Sequence, residues 1–296
     1  MSITHQFDYV KARSTDEALQ ALSLHGRGAS VLAGGTDLIG WLRDDLVTPS
    51  VLVDIKGIPE LGRLEVQDDR LLVGALVTFN QLLELTPVQQ RFPVLQEVAR
   101  AVASSGLRNR ATLVGNICSA VPCCDGGPLL LTCDAVVAVA GPAGRRQIPI
   151  GQWFLGPRRT ALEPNELVLG LEIPLPPQPH GGCYVKLGRY RGEDLAQASV
   201  LVLALPGPEY RVAFGAVAPT PVRGTRVEQL LRGRGLDDEV IGQACRLALS
   251  EIAPITDIRA SREYRSHMIQ VMLGRALRAA AGRLSGVGPP YGQSLL

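Results

Sequence analysis

The chain has 296 residues, 46% of them hydrophobic, which is enough for two domains with buried cores and excludes a disordered protein. Thirty Lys and Arg residues stand against 28 Asp and Glu, and aromatic residues make up only 4%. This balance argues against a nucleic-acid-binding protein, which needs excess positive charge and exposed rings. No stretch approaches the roughly 20 apolar residues of a membrane span, and residues 1–8 lack the features of a secretory signal. We therefore expect a cytoplasmic protein.

The first part of the chain alternates short apolar strands with amphipathic helices. Ser14 and Glu17 form a capping-box pattern that predicts the start of a helix. Strands are predicted over 29–33 and 51–55, on either side of a helical stretch over 37–46. These elements predict a β-α-β unit.

A second group of elements follows up to residue 173. Two hairpins are predicted, one from strands 63–66 and 70–74 and one from strands 135–140 and 146–150. One helix is predicted after Thr78 and another through 94–102, and a further strand is predicted over 166–173. Residues 104–128 are rich in Gly, Pro and Cys and show no period of their own. A loop of that length inside a domain is usually functional.

The proline-rich segment 174–182 (PLPPQPHGG) is the strongest domain boundary in the chain. It predicts a first domain over 1–175, with subdomains 1–56 and 57–175, and a smaller one over 183–285, followed by a tail over 286–296. The smaller domain contains three predicted strands and three helices, at 183–189, 198–205, 210–217, 227–232, 239–252 and 262–284. The predicted fold class is α+β.

The sharpest local motif is the sequence LAGGTDL over 32–38, where a buried strand gives way to a helix. Paired glycines allow the backbone to approach a ligand closely, and the free N–H groups of the turn suit a pyrophosphate. A tight turn capped by Thr36 or Asp37 would look the same. Taken alone, the motif leaves both interpretations open.

A second motif, TLVGNI over 112–117, continues to Ser119, Pro122 and Asp125. It offers hydroxyl, amide and carboxylate groups of the kind that an adenosine diphosphate needs, although a polar surface loop would also be ordinary. Two such turns in one sheet system favour a single extended ligand between subdomains. A Rossmann domain is disfavoured, because no G-x-G-x-x-G follows the first strand.

At these residues the chain resembles the FAD-binding (medium) subunit of molybdenum hydroxylases. LAGGTDL matches the first FAD turn of that family and 114–125 matches the second. Further matches are 53–61, 74–78, the F-x-K-x-x-R-like strand from Tyr184 to Arg189, GAVAPTPVR over 215–223 and D-x-R-x-S-x-x-YR over 257–265. The resemblance covers nearly the whole chain and implies a PCMH/VAO-type FAD-binding domain of two subdomains, followed by a C-terminal domain with a three-stranded antiparallel sheet and helices.

The resemblance implies noncovalently bound FAD and assigns residues to it. The first turn would wrap the pyrophosphate and ribityl chain, the second would hold the rest of the dinucleotide, and Lys186 would lie near the isoalloxazine ring, where a positive charge stabilises the anionic reduced flavin. The cofactor-binding residues implied are Val31, Leu32, Ala33, Gly34, Gly35, Thr36, Asp37, Leu38, Thr112, Gly115, Asn116, Cys118, Ser119, Cys124, Asp125, Leu169 and Lys186.

Three features depart from this assignment or stand outside it. Val114 replaces a family glycine, and because a β-branched residue disfavours positive φ, we expect either that the second turn differs slightly or that Val114 occupies a position that tolerates it. Tyr190 stands where the family often has a second arginine. Arg259, Ser261 and Arg265 are equally consistent with a structural network at a helix start and are left out of the site.

Four of the six cysteines (Cys118, Cys123, Cys124 and Cys133) fall within a short segment and raise the question of a metal. Their C-x4-C-C-x8-C spacing matches no usual zinc or iron–sulfur pattern, and one family branch that carries an extra cluster holds it on an insertion not visible here. We therefore predict free thiols and no metal ligands in this chain.

The resemblance implies an electron-transfer subunit rather than a complete enzyme. A large partner would carry the molybdenum cofactor and a small partner two [2Fe-2S] clusters, in a dimer of heterotrimers, and FAD would pass electrons to NAD, a quinone, oxygen or a protein. No catalytic residue is nominated in this chain. The alternatives are a self-contained flavin oxidoreductase of the same superfamily and a flavin-free scaffold, for which Val114 is the sole argument.

Overall fold

Residues 8–54 form a three-stranded parallel sheet in the computed structural model of the chain, which describes residues 3–190 and 194–296. The hydroxyl of Ser14 accepts a hydrogen bond from Glu17 N–H at 3.2 Å and caps the first helix. The predicted β-α-β unit is confirmed, and a strand that the pattern had not indicated, β1, pairs beside it. The strand order is β1-β3-β2, and the elements are β1 (Asp8–Lys11), α1 (Thr15–His25), β2 (Ala29–Leu32), α2 (Leu38–Arg43) and β3 (Val51–Asp54).

Residues 64–174 build a five-stranded antiparallel sheet in the order β4-β5-β10-β6-β7, together with a run of short helices. Both predicted hairpins, β4-β5 and β6-β7, are confirmed. The elements are β4 (Leu64–Gln67), β5 (Arg70–Gly74), α3 (Phe79–Glu84), α4 (Thr86–Arg91), α5 (Pro93–Ala101), α6 (Ser105–Arg108), α7 (Leu113–Cys118), α8 (Gly126–Thr132), β6 (Val136–Gly141), β7 (Gly144–Pro149), β8 (Phe154–Gly156), β9 (Arg159–Thr160) and β10 (Leu167–Pro174).

The helical layer of this subdomain differs from the prediction in two ways. Three helices replace the two expected after Thr78, because prolines in the first turns of α4 and α5 each begin a new helix. The segment 104–128, predicted to be a loop, contains α6, α7 and the start of α8. These helices have only four, six and seven residues, which is too short for a helical period to appear in the sequence.

The C-terminal part forms a four-stranded antiparallel sheet in the order β11-β12-β13-β14. The three predicted strands and three predicted helices are confirmed, and the short strand β14 extends the sheet by one. The elements are β11 (Gly181–Leu187), β12 (Ala198–Leu205), β13 (Glu209–Gly215), β14 (Val222–Arg223), α9 (Thr225–Leu231), α10 (Asp238–Ala248) and α11 (Arg262–Leu284).

The C-terminal sheet is covered on both faces. Every residue of β12 is buried: Leu201 and Leu203 belong to the core shared with α5 and α8, whereas Val200 and Val202 pack in the core formed with α10 and α11. A strand buried on both faces explains the continuous apolar sequence ASVLVLAL. The proline-rich segment therefore joins two units that share a buried surface.

Candidate cofactor site

A cleft of about 730 Å³ lies where β2, α7 and the loop before β10 meet, which is an ordinary size for a small-molecule site. Most predicted cofactor-binding residues line it. Leu32, Leu169 and Lys186 do not: Leu32 is buried, and the Leu169 carbonyl accepts a hydrogen bond from Ala75 N–H at 3.0 Å. The predicted residues in the lining are Val31, Ala33, Gly34, Gly35, Thr36, Asp37, Leu38, Thr112, Gly115, Asn116, Cys118, Ser119, Cys124 and Asp125.

The two glycines of the first turn are required for different reasons. A Cβ on Gly34 would lie 1.9 Å from the Arg110 carbonyl oxygen, so this position packs against the backbone that leads into α7. Gly35 has φ +76°, a left-handed conformation that side chains disfavour. Gly34 thus allows the two motifs to approach each other, and Gly35 allows the chain to turn.

The backbone of this turn presents a run of free donors. Within residues 3–190 and 194–296, no acceptor is found for the N–H groups of residues 34–38, although the helix after them closes with Ile39 N–H donating to Gly35 O at 3.0 Å. Successive unpaired N–H groups in a turn form a concavity that binds anions. The turn can therefore hold a phosphate group through its backbone alone.

The second motif is helical rather than a glycine turn. Thr112 caps α7, and its hydroxyl accepts a hydrogen bond from Gly115 N–H at 2.9 Å. A Cβ on Gly115 would lie 2.8 Å from that oxygen, which explains the glycine. Val114 lies in the helix and is 3% exposed. Of the two alternatives for Val114, the tolerant position is therefore the one observed, because the residue has helical backbone angles, which a β-branched residue adopts.

The two motifs meet in the cleft although 82 residues separate the side chains that join them. The single hydroxyl proton of Ser119 has two acceptors within reach, the Asp37 carboxylate and Gly115 O, which lies 3.0 Å from Oγ. Asn116 Oδ1 accepts from Gly126 N–H at 2.9 Å and fixes the start of α8. One continuous hydrogen-bonded wall thus results from two distant segments.

Asp125 connects the cleft to the C-terminal sheet. Its Oδ2 accepts from Lys186 Nζ at 3.0 Å and its Oδ1 accepts from the Tyr184 hydroxyl at 2.7 Å. Lys186 also donates to Ala101 O at 2.8 Å. Burial raises the pKa of Asp125, against the opposing effect of Lys186, and raises the pKa of Tyr184 well above its usual range. Lys186 does not line the cleft itself and is bonded to the lining residue Asp125, and its position near the flavin ring stays a prediction.

The cleft is also lined by residues that the sequence did not indicate. Trp41 lines the cleft, and the Arg158 guanidinium lies 4.9 Å from its ring centroid. Arg158 has φ +56°, and its N–H donates to Ala120 O at 2.9 Å. No local pattern brings Trp41 and Arg158 together, because α2 and the β8-β9 hairpin meet only in the folded chain. The other unpredicted lining residues include Val102, Ala103, Leu107, Thr160, Leu162, Glu163, Glu166, Val168, Asp194 and Leu195.

Of the four clustered cysteines, Cys124 and Cys133 are buried and Cys118 and Cys123 are partly buried. Burial raises the pKa of Cys118 to about 12 and that of Cys133 to about 12, and it also raises those of Cys123 and Cys124, so the thiols stay protonated at neutral pH. Within the described part of the chain, no group of three or more His, Cys, Asp or Glu residues is placed to hold a metal ion.

Ser261 and Arg265, which were not assigned to the site, make structural contacts. Ser261 caps α11 through Tyr264 N–H, and Arg265 is buried. The Arg265 guanidinium donates to the carbonyl of Ala216 at 3.0 Å, to the carbonyl of Gln197, and to Asp257 at 2.7 Å. These contacts fix the start of α11 against the sheet.

The fold and the cleft are those of a protein that can bind a small phosphate-containing ligand. Comparison with known families is more specific. Residues 5–176 match the model of the FAD-binding domain in molybdopterin dehydrogenase, and residues 207–280 match the CO dehydrogenase flavoprotein C-terminal domain.

Individual relatives match over nearly their whole length. The carbon monoxide dehydrogenase medium chain of Hydrogenophaga pseudoflava is 32% identical over 284 residues, 95% of this chain and 99% of the relative. The xanthine dehydrogenase FAD-binding subunit of Escherichia coli O157:H7 is 32% identical, over 93% and 98%. A carbon monoxide dehydrogenase structure from Hydrogenophaga pseudoflava has a TM-score of 0.92 at 33% identity, covering 96% of this chain and 99% of that chain. Quinoline 2-oxidoreductase from Pseudomonas putida 86 gives 0.89 at 29% identity, covering 96% and 100%.

The chain belongs to the family of FAD-binding subunits of molybdopterin dehydrogenases, and FAD is its cofactor. The resemblance and the fold class inferred from the sequence are confirmed. The site fits the cofactor, because a cradle of free N–H groups, a glycine with positive φ and a cleft of suitable volume occur together. It is a subunit of the oxidoreductase class.

Proposed function

We propose that the chain is the electron-transfer subunit of a molybdenum hydroxylase complex. FAD on this chain accepts electrons from [2Fe-2S] clusters on a small partner subunit and passes them to an external acceptor. The observation that carries the proposal is the match to a medium chain over 95% of this chain and 99% of that relative, with the FAD cleft intact. The chain thus has the parts of one subunit of such an enzyme.

The residues of the cleft have separate tasks in this function. Bound FAD supplies the redox chemistry. The N–H groups of residues 34–38 bind the pyrophosphate, and the bond from Ser119 to Asp37 holds the two motifs at a constant separation. Asp125 places a buried carboxylate at the wall of the cleft, and the hydrogen bonds from Lys186 and Tyr184 fix its orientation. Thr112 and Asn116 order α7 and α8, and the partly buried Cys118 and the buried Cys124 pack at the wall.

The partners extend the proposal beyond this chain. A large subunit carries the molybdenum cofactor and oxidises the substrate, and two copies of the resulting heterotrimer form the complex. We place the complex in the cytoplasm, with FAD bound noncovalently. In the described residues no helix is both long and apolar enough to cross a membrane. The flavin-free scaffold loses its single argument, because Val114 is an ordinary core residue of α7.

The experiment compares the purified chain alone with the chain mixed with the large and small subunits encoded beside it. Alone and without oxygen, the flavin should be reduced by dithionite but not by purine, aldehyde, heteroaromatic or thioester substrates. With the partners, one substrate class should bleach the flavin absorbance. The matched control is a Gly35→Val chain in the same mixture, which should give no flavin signal.

Two outcomes would contradict the proposal. Bleaching of the isolated chain by an organic substrate would establish a self-contained flavin oxidoreductase. A mixture in which the molybdenum centre is reduced by substrate while the flavin stays oxidised would show that this FAD lies outside the electron path.

A further inference from the structure

The segment after α11, predicted to be a tail, folds back across the boundary between the two domains. We call residues 289–292 the strap. Arg283 donates to the carbonyls of Pro289 and Pro290, each at 2.9 Å. The Tyr291 hydroxyl accepts from Gly182 N–H at 3.1 Å. The strap is therefore bonded to the end of α11 and to the start of β11.

A buried ion pair lies beneath the strap. Glu97 of α5 and Arg283 of α11 are 2.9 Å apart, with side chains 7% and 4% exposed. The Tyr291 ring lies 4.0 Å from the Arg283 guanidinium carbon, and Gly292 N–H donates to Glu97 at 2.8 Å. The strap thus excludes water from an ion pair that joins the first domain to the C-terminal one. A buried pair is unfavourable unless its remaining hydrogen-bonding positions are occupied, and the strap occupies them.

The same carboxylate positions the strand that reaches the cofactor cleft. Glu97 Oε2 accepts from Tyr184 N–H at 3.0 Å, and the hydroxyl of Tyr184 donates to Asp125 at 2.7 Å. Lys186, two residues along β11, bonds both Ala101 O of α5 and Asp125. The position of β11 against α5 is therefore held at Glu97 and Ala101, and this position places both donors on the cleft carboxylate.

We propose that the strap is a positioning element for the FAD cleft. Tyr291 and Gly292 hold Glu97 against Arg283, Glu97 holds the backbone of Tyr184, and Tyr184 orients Asp125. None of these strap residues contacts the cleft. The inference rests on FAD binding and on no assumption about the electron donor or acceptor.

The test uses the full chain stripped of flavin and titrated with FAD. Tyr291→Ala should weaken FAD binding about tenfold. This is the order of magnitude expected if the hydrogen bond from Tyr184 to the Asp125 carboxylate is lost. Tyr291→Phe, which keeps the ring over Arg283, should lose less. Val287→Ala is the matched control, because Val287 lies in the same segment and is 83% exposed.

A double-mutant cycle separates positioning from general stability. If the strap acts through the two donors of β11, Tyr291→Ala should cost less FAD affinity in a Tyr184→Phe background than in the parent, because only the Lys186 contact is left to disturb. Additive losses, or unchanged affinity in Tyr291→Ala, would overturn the proposal. A parent chain that binds no FAD would refute the cofactor instead. In that case the exchange rate of the Tyr184 amide hydrogen, compared between Tyr291→Ala and the parent chain, tests the strap. Unchanged protection of this amide in Tyr291→Ala would overturn the proposed positioning role.

Discussion

The two glycine-containing segments that meet in the cleft look alike in sequence and differ in physical cause. In the first, Gly34 is required by the backbone at Arg110 and Gly35 by its positive φ. In the second, Gly115 lies in a helix and only avoids the oxygen of the residue that caps it. A glycine can therefore be required for different physical reasons. Four substitutions should differ in how much unfolding free energy and FAD binding they cost, according to which of these reasons applies.

Gly34→Ala should have the largest effect. Its Cβ would overlap backbone atoms, which cannot rotate away, so we expect a loss of more than about 3 kcal/mol in the free energy of unfolding and no retained FAD. Urea denaturation and the flavin-to-protein absorbance ratio measure the two effects. Gly40→Ala is the control, since nothing beyond its chain neighbours and the backbone of its own helix lies within 4 Å of the added Cβ, and it should be neutral or slightly stabilising. Equal effects of the two would refute the packing argument.

Gly35→Val should follow, at about 3 kcal/mol, because a β-branched residue is strained at φ +76°. The turn would relax toward negative φ and redirect the N–H groups of residues 34–38, so FAD should dissociate on gel filtration. Retention of FAD as tight as in the parent would show that the first turn has been misassigned.

Val114→Gly tests the second segment from the opposite direction. Because the family has a glycine at this position, the sequence taken alone predicts that the substitution is tolerated or tightens FAD binding. The helical, buried position instead predicts a loss of about 2 kcal/mol in unfolding free energy, from lost burial and helix propensity. FAD affinity measured by titration should change less than with Gly35→Val. A stabilised variant would contradict the helical assignment.

Gly115→Ala should have the smallest effect, within about 1 kcal/mol, because improved helix propensity opposes a weakened Thr112 cap. In a Thr112→Ser background the smaller side chain can move away more easily from the Cβ added at position 115. Gly115→Ala should therefore change the thermal midpoint less in that background than in the parent chain. A loss as large as that of Gly34→Ala would show that the cap cannot move.

Much of the fold was readable from the sequence because its signals are local. The capping pattern at Ser14, the strand periods and the proline-rich segment each depend on neighbouring residues. The short helices of 104–128 were missed because four to seven residues do not make a period. Strand β14, the fourth strand of the C-terminal sheet, has two residues and was not predicted for the same reason.

The sequence by itself determined the family, the cofactor and the two segments that form its cleft, since these follow from ordered motifs along the chain. Only the tertiary structure decided which atoms those motifs face. It placed Arg110 against Gly34, Lys186 beside Asp125 and Arg158 over Trp41. It also turned the tail into a strap over Glu97. Such contacts join residues far apart in the chain, and their partners are set by how the sheets and helices pack, which no local pattern encodes.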